Sequence, residues 1–155
     1  MIDLDILTVL RERASGIRHS AGYQSDAGAH VYLGRVFDLE SDPVPAIVIT
    51  QPEDDADLVE DDETPTVLRI ASTYVVEAYA QVDADDPLPD LMRLRADLIR
   101  AIYRPGADLP DTLGGLINAL RLVSSSKLMP APGSRLGMAQ LTLTAEYHQH
   151  TGDAE

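Results

Sequence analysis

The chain has 155 residues and carries 12 Lys and Arg against 26 Asp and Glu, a formal net charge of −14 with a pI near 4.4. A hydrophobic share of 45% excludes an acidic disordered chain, and the charge argues against a sequence-reading nucleic-acid binder or adhesion to an anionic membrane, since both rely on clustered Lys and Arg. Cysteine is absent, which removes disulfides, thiol nucleophiles and Cys-based zinc or iron–sulfur sites.

The length suits one domain over 1–150, with 151–155 as a polar tail. With no tryptophan and one phenylalanine, the core must be built from Leu, Ile, Val and Ala. The opening Met-Ile-Asp-Leu-Asp-Ile has no basic n-region, and no apolar run approaches the roughly 20 residues of a spanning helix. The expectation is a soluble chain made in the cytoplasm.

In chain order, Ile6, Leu7, Leu10, Ala14 and Ile17 recur at helical spacing, and Asp3 or Asp5 suits the helix start. Residues 20–28 are turn-rich. A strand is expected over 30–37, interrupted by Pro43 and Pro45, and then a short apolar strand over 46–50, central in a sheet. Eight of the eleven residues at 53–63 are acidic, which predicts an exposed loop. Residues 66–82 alternate, with Leu68, Ile70, Ser72, Tyr74, Val76, Ala78, Ala80 and Val82 on one face; a strand this long is expected to bend, bulge or extend past the sheet.

A second helix is predicted over 89–103. Leu91, Leu94, Leu98 and Ile102 form its buried stripe, and Arg93, Arg95, Arg100 and Arg104 lie on its exposed side or at its end. A turn at 108–115 leads to strands at 116–125 and 136–148, joined by a projecting loop at 126–135. This order predicts an α+β fold: a mainly antiparallel or mixed sheet with two principal helices on one face, in a single domain.

The carboxylates crowd into loop-like stretches, which disfavours an acid/base dyad. The stretch 53–63 contains no glycine and so fails as an EF-hand loop. His148 and His150 form an H-x-H pair with no third ligand implied by spacing. Ser124–Ser126 lack a local base, and Gly114-Gly115 lacks the Walker spacing and lysine. The expectation is a non-enzymatic protein without cofactor or metal.

Several motifs, in order, resemble the tail terminator proteins of long-tailed bacteriophages, the lambda-type minor tail protein U family. They are Val31-Tyr32-Leu33-Gly34-Arg35-Val36-Phe37, followed by Val44-Pro45-Ala46-Ile47-Val48-Ile49, and a long strand from Leu68 to Ala80 with Val75, Val76, Glu77 and Tyr79. The helix from Leu91 to Ile102, the Leu113-Gly114-Gly115-Leu116 turn and the closing Leu141-Thr142-Leu143-Thr144-Ala145-Glu146-Tyr147 complete the set. The resemblance covers nearly the whole chain.

It implies a structural virion protein at the tail–head junction, made in the host cytoplasm. Such a protein forms a hexameric ring that caps the tail tube, ends its polymerisation and offers a surface to the head–tail connector. The implied partners are further copies of the chain, the major tail (tube) protein and the connector or stopper protein, with DNA passing through the lumen unbound. Another head–tail joining or tail-completion protein of the same build stands as the alternative, with a small acidic enzyme or regulatory protein behind it. Subunit or tube contacts are expected at Lys127, Leu128, Met129 and Arg135 of the loop, and at Arg93 and Arg100 of the second helix. The acidic residues Glu53, Asp54, Asp55, Asp57, Glu60, Asp61, Asp62 and Glu63 are expected to face the lumen, where like charge keeps DNA from sticking.

Overall fold

The computed structural model describes residues 2–38, 41–58, 67–103 and 111–150, apart from the side chains of 53–58 and of His150. The strand with the cleanest alternation organises the rest. β3 (Val67–Gln81) pairs along its whole length with β5 (Leu136–His150), without a slip in register, and on its other side with β2 (Ala46–Leu58). The short β1 (Val31–Leu33) lies parallel to β2, and β4 (Ala119–Leu128) lies antiparallel to β5. The sheet order is therefore β1-β2-β3-β5-β4. α1 (Ile2–Ser15) and α2 (Pro87–Ile102) cover one face. This is the expected single-domain α+β fold with a mixed, mainly antiparallel sheet.

The periodicities place the core correctly. Ile6, Leu10, Ala14 and Ile17 of the first segment and Leu91, Leu94, Leu98 and Ile102 of α2 are buried. They meet Tyr74, Val76, Ala78, Leu141, Leu143 and Tyr147 in one apolar layer. Gly28 shows how closely the layers approach: its N–H donates to the Ile17 carbonyl at 2.9 Å, and a Cβ at this position would lie 2.4 Å from the Ala14 carbonyl oxygen.

Four expectations need correction. The long strand β3 does not bulge against β5; the irregularities fall in the strands that flank this pair, between Thr50 and Glu53 of β2 and between Leu122 and Ser124 of β4. Pro52 lies inside the first of these and cannot donate to a ladder. The acidic stretch is not a loop over 53–58. Those residues extend β2 and pair with 68–73, a segment that holds Arg69 and no acid, so the pairing adds no like charge from the partner strand. Glu60, Asp61, Asp62 and Glu63 lie outside the described residues, as does the tail 151–155.

The strand predicted over 30–37 is only three residues long. Gly34 turns the chain at φ +70° while its N–H still donates to Ile49. Phe37 then folds back and stacks on Tyr79 with ring centroids 4.2 Å apart. Together with Ala46 and Val48 it builds a small second core on the sheet face away from the helices. Last, β4 starts at Ala119 rather than 116, because Leu113, Gly114 and Gly115 all take positive φ and spend those residues in a turn. The strand runs on to Leu128, so the projecting loop shortens to 129–135.

Three carboxylates tie the layers together. Asp3 accepts from the Tyr147 hydroxyl at 2.6 Å and from Tyr74 at 3.4 Å, holding the first turn of α1 on the sheet. The buried Asp97 accepts from the Gln24 N–H and the Ser25 hydroxyl, which pins the turn-rich segment to α2. Asp111, 3% exposed, takes both Arg13 guanidinium nitrogens at 2.7 and 3.2 Å, and Arg13 also donates to the Ile102 carbonyl. Burial, and then the Asp3 charge, push the Tyr74 phenol above its ordinary value.

Two measurements follow from these contacts. Arg13→Ala leaves the Asp111 carboxylate buried without its guanidinium partner and should lower stability by about 3 kcal/mol in urea unfolding; a loss within experimental error would show the pair to be idle. For Tyr74, the folded state holds its proton more tightly than the unfolded chain does. Its contribution is therefore complete below about pH 10 and is lost as pH rises through the folded value. Unfolding curves between about pH 9 and 12 should show a shallower alkaline decline for Tyr74→Phe than for the native chain, and equal slopes would contradict this.

Candidate interaction surface

β4 ends the sheet order, so among the described residues no strand pairs with its outer side for most of its length. Its beginning is covered: Leu120 bridges to Asp111, with the Leu120 N–H donating to the Asp111 carbonyl at 2.6 Å. Beyond that bridge, Val123 and Leu128 are each 61% exposed, and Met129 is 45% exposed. β4 is held from behind by Arg95, whose Nε donates to the Ser125 hydroxyl at 2.8 Å. Sequence reasoning assigned Arg95 to the exposed side of the helix. Its place four residues before Ile99, beside the apolar stripe, is the signal that could have moved it.

The segment 129–135 is a set turn. Pro130 and Pro132 restrict the backbone, and Gly133 takes φ +79°. The Ser134 N–H donates to Ala131, and the Leu136 N–H donates to the Ser134 hydroxyl. The Val82 N–H donates to the Arg135 carbonyl at 2.7 Å, anchoring the turn to the end of β3. Met129 and the turn face Pro87 and Ala84 across a groove of about 320 Å³.

The structure places the predicted contact residues as follows. Lys127 and Leu128 close β4, in register with Ala139 and Met138. Arg135 shares a groove with Asp90, and Asp90 accepts from Arg93 at 3.0 Å and from the Asp83 N–H at 2.8 Å. Lys127, Leu128, Met129, Arg135 and Arg93 therefore gather at one end of the sheet. Arg100 is not with them. It donates to the Gly22 carbonyl at 2.8 Å and its guanidinium lies 4.5 Å from the Tyr23 ring centroid, so it is engaged inside the chain. Glu53, Asp54, Asp55 and Asp57 are on β2 opposite residues 69–73, at the other end of the sheet and near the other edge.

A larger groove of about 480 Å³ is lined by His19, Gln24, Asp26, Gln81, Asp90 and Arg93, among others. His19 and Asp26 approach to 3.8 Å. Asp26 and Asp90 both line this groove, and the Asp90 carboxylate accepts from the Arg93 guanidinium and the Asp83 N–H. Among the described residues no group of three His, Asp or Glu could hold a metal ion. His148 is exposed and its Nδ1 meets the Asn118 side-chain amide at 2.7 Å. No helix among the described residues is long and apolar enough to cross a membrane.

The edge apolar side chains make no contribution to the core, so Leu128→Ser with Met129→Ser should leave the unfolding midpoint unchanged within about 0.5 kcal/mol. A larger loss would make them supports of the hairpin rather than surface. No protein-family model and no curated protein matches the chain.

Proposed function

We propose that this chain is a structural virion protein of the tail-terminator type. It forms a ring that caps a tail tube, ends tube growth and presents a new surface for the head connector. The observation that carries this reading is the order of the resembling motifs. They fall on successive elements of one sheet and its helix: Val31–Leu33 and the return to Phe37, then β2, β3, α2 and β5. The exposed hairpin end with Lys127, Leu128 and Met129 supports it as a surface for subunit or tube contact.

Capping needs two unlike faces. One reproduces the interface that tube subunits offer each other, and the other does not, so no further subunit adds. A closed ring needs a heterologous contact between copies. Charge suits a conduit for DNA: six copies at −14 each would carry −84, a field that disfavours adhesion of a polyanion to the ring.

The direct test is to add the chain to polymerising tube protein from the same genome and measure tube length by electron microscopy. Tubes should stop growing and carry a ring at one end. Unchanged lengths with no ring at the tip refute the capping role; rings that join heads to finished tubes without altering length favour a different head–tail joining protein.

A further inference from the structure

The two open edges of the sheet match each other. We propose that residues 124–128 of β4 in one copy add as a strand to residues 53–58 of β2 in a neighbouring copy. This contact rests on the ring reading above and deepens it by naming the surfaces that close the ring.

Each edge is closed in one part and open in another. On β2, the parallel strand β1 occupies the outer side at 47–49, and among the described residues 53–58 pair only with β3. On β4, the Asp111 bridge occupies the outer side at Leu120, the irregularity at Leu122 to Ser124 interrupts the strand, and among the described residues 124–128 pair only with β5. The open stretches are therefore of similar length, six residues and five. At about 3.3 Å per residue each offers a ladder of roughly 16–20 Å.

Their charges are opposite. The open β4 stretch 124–128 contains Lys127 and no acid, whereas 53–58 contain Glu53, Asp54, Asp55 and Asp57 and no base. Their directions are compatible as well. Three antiparallel steps separate β2 from β4, so the two strands run in opposite directions within one sheet. A neighbour related by rotation about an axis roughly along the strands then presents its β2 antiparallel to β4, and the alternation continues across the boundary.

The contact is staggered. Through the ladder, Ser125 lies level with Leu141, Val76 and Ile49, in the stretch that β1 covers. To reach 53–58, β4 must be displaced past β1 by about six or seven residues, the kind of offset that strand tilt imposes when a sheet closes on itself. Like edges repel: two copies of 53–58 bring acids together. The pairing is thereby directed head to tail, and the occupant of each edge is a second copy of the same chain.

Two variants test this together. One carries Ser126→Glu and Lys127→Glu, which makes the β4 edge acidic; the other carries Glu53→Lys, Asp55→Lys and Asp57→Lys, which makes the β2 edge basic. By native mass spectrometry and sedimentation, the native chain should assemble beyond a dimer. Each variant alone should need at least about a hundredfold higher concentration to do so. An equimolar mixture should reassemble into species with even numbers of subunits, because each variant then finds an opposite edge on the other. Recovery in the mixture also establishes that both variants fold. If each variant alone assembles as the native chain does, or the mixture fails to recover, the edge contact is wrong while the ring reading stands. If the native chain stays monomeric at all concentrations, or stops at a two-fold dimer through β4, both are wrong.

Discussion

The constraint on which the fold depends is the unbroken pairing of β3 with β5. Fifteen consecutive residues keep one register, so every second side chain of both strands is committed to the same face. That face holds Tyr74, Val76, Ala78, Leu141, Leu143 and Tyr147, and it is apolar enough to require a cover. α1 and α2 supply the cover, α1 chiefly over β1 and β2 and α2 chiefly over β5 and β4. The pair Tyr74 and Leu143 marks the middle of the sheet. The irregularities of β2 and β4 flank it on either side, so both flanking strands shift register at one level while the inner pair keeps its own.

The buried carboxylates extend this constraint to the loops. Asp97 and Asp111 are acids inside a chain that already carries a charge of −14, and each is matched by donors from a distant segment. Such groups add little net stability over an apolar replacement, but an unmatched one is costly. They therefore select one arrangement of the connecting segments. The segment around Ser25 can sit in only one place against α2, and α1 in only one place against the turn at Asp111.

What could be read beforehand follows the same division. Ile6, Leu10, Ala14 and Ile17, the stripe of α2 and the alternation of β3 and β5 were legible, because burial of one face imposes a period that needs no knowledge of partners. Residues 53–58 were misread, because local repulsion favours a loop while pairing with 68–73, decided by tertiary structure, favours a strand. Phe37 was placed on a strand, yet Gly34 turns it back onto Tyr79, a contact between segments some forty residues apart. Asp97 and Arg95 were missed for one reason: each occupies a partly covered helix position where the residue type predicts exposure, and only the partner across the interface makes burial acceptable. Of the predicted surface residues, those of the hairpin end and Arg93 do gather in one place, because loop position and exposure are local properties. The engagement of Arg100 with Gly22 and Tyr23 is not local, and the sequence could not announce it.

The edges of the sheet carry the last step of the argument. An exposed strand edge is a general hazard, because any other edge can add to it. Among the described residues each edge is shielded only in part, by the short β1 on one side and the Asp111 bridge on the other. What stays open is distinguished by charge. The β2 edge is a run of acids, which disfavours copies of itself and edges of other acidic chains; the open β4 stretch carries Lys127 and no acid. A protein that needed only to stay monomeric would gain from acid or proline on both edges. Acid on one edge alone, facing an acid-free edge of similar length and opposite direction, suppresses indiscriminate pairing and still admits one partner. In the ring proposed above, that arrangement would select the partner edge, and it would give part of the large negative charge a placement that overall composition does not reveal.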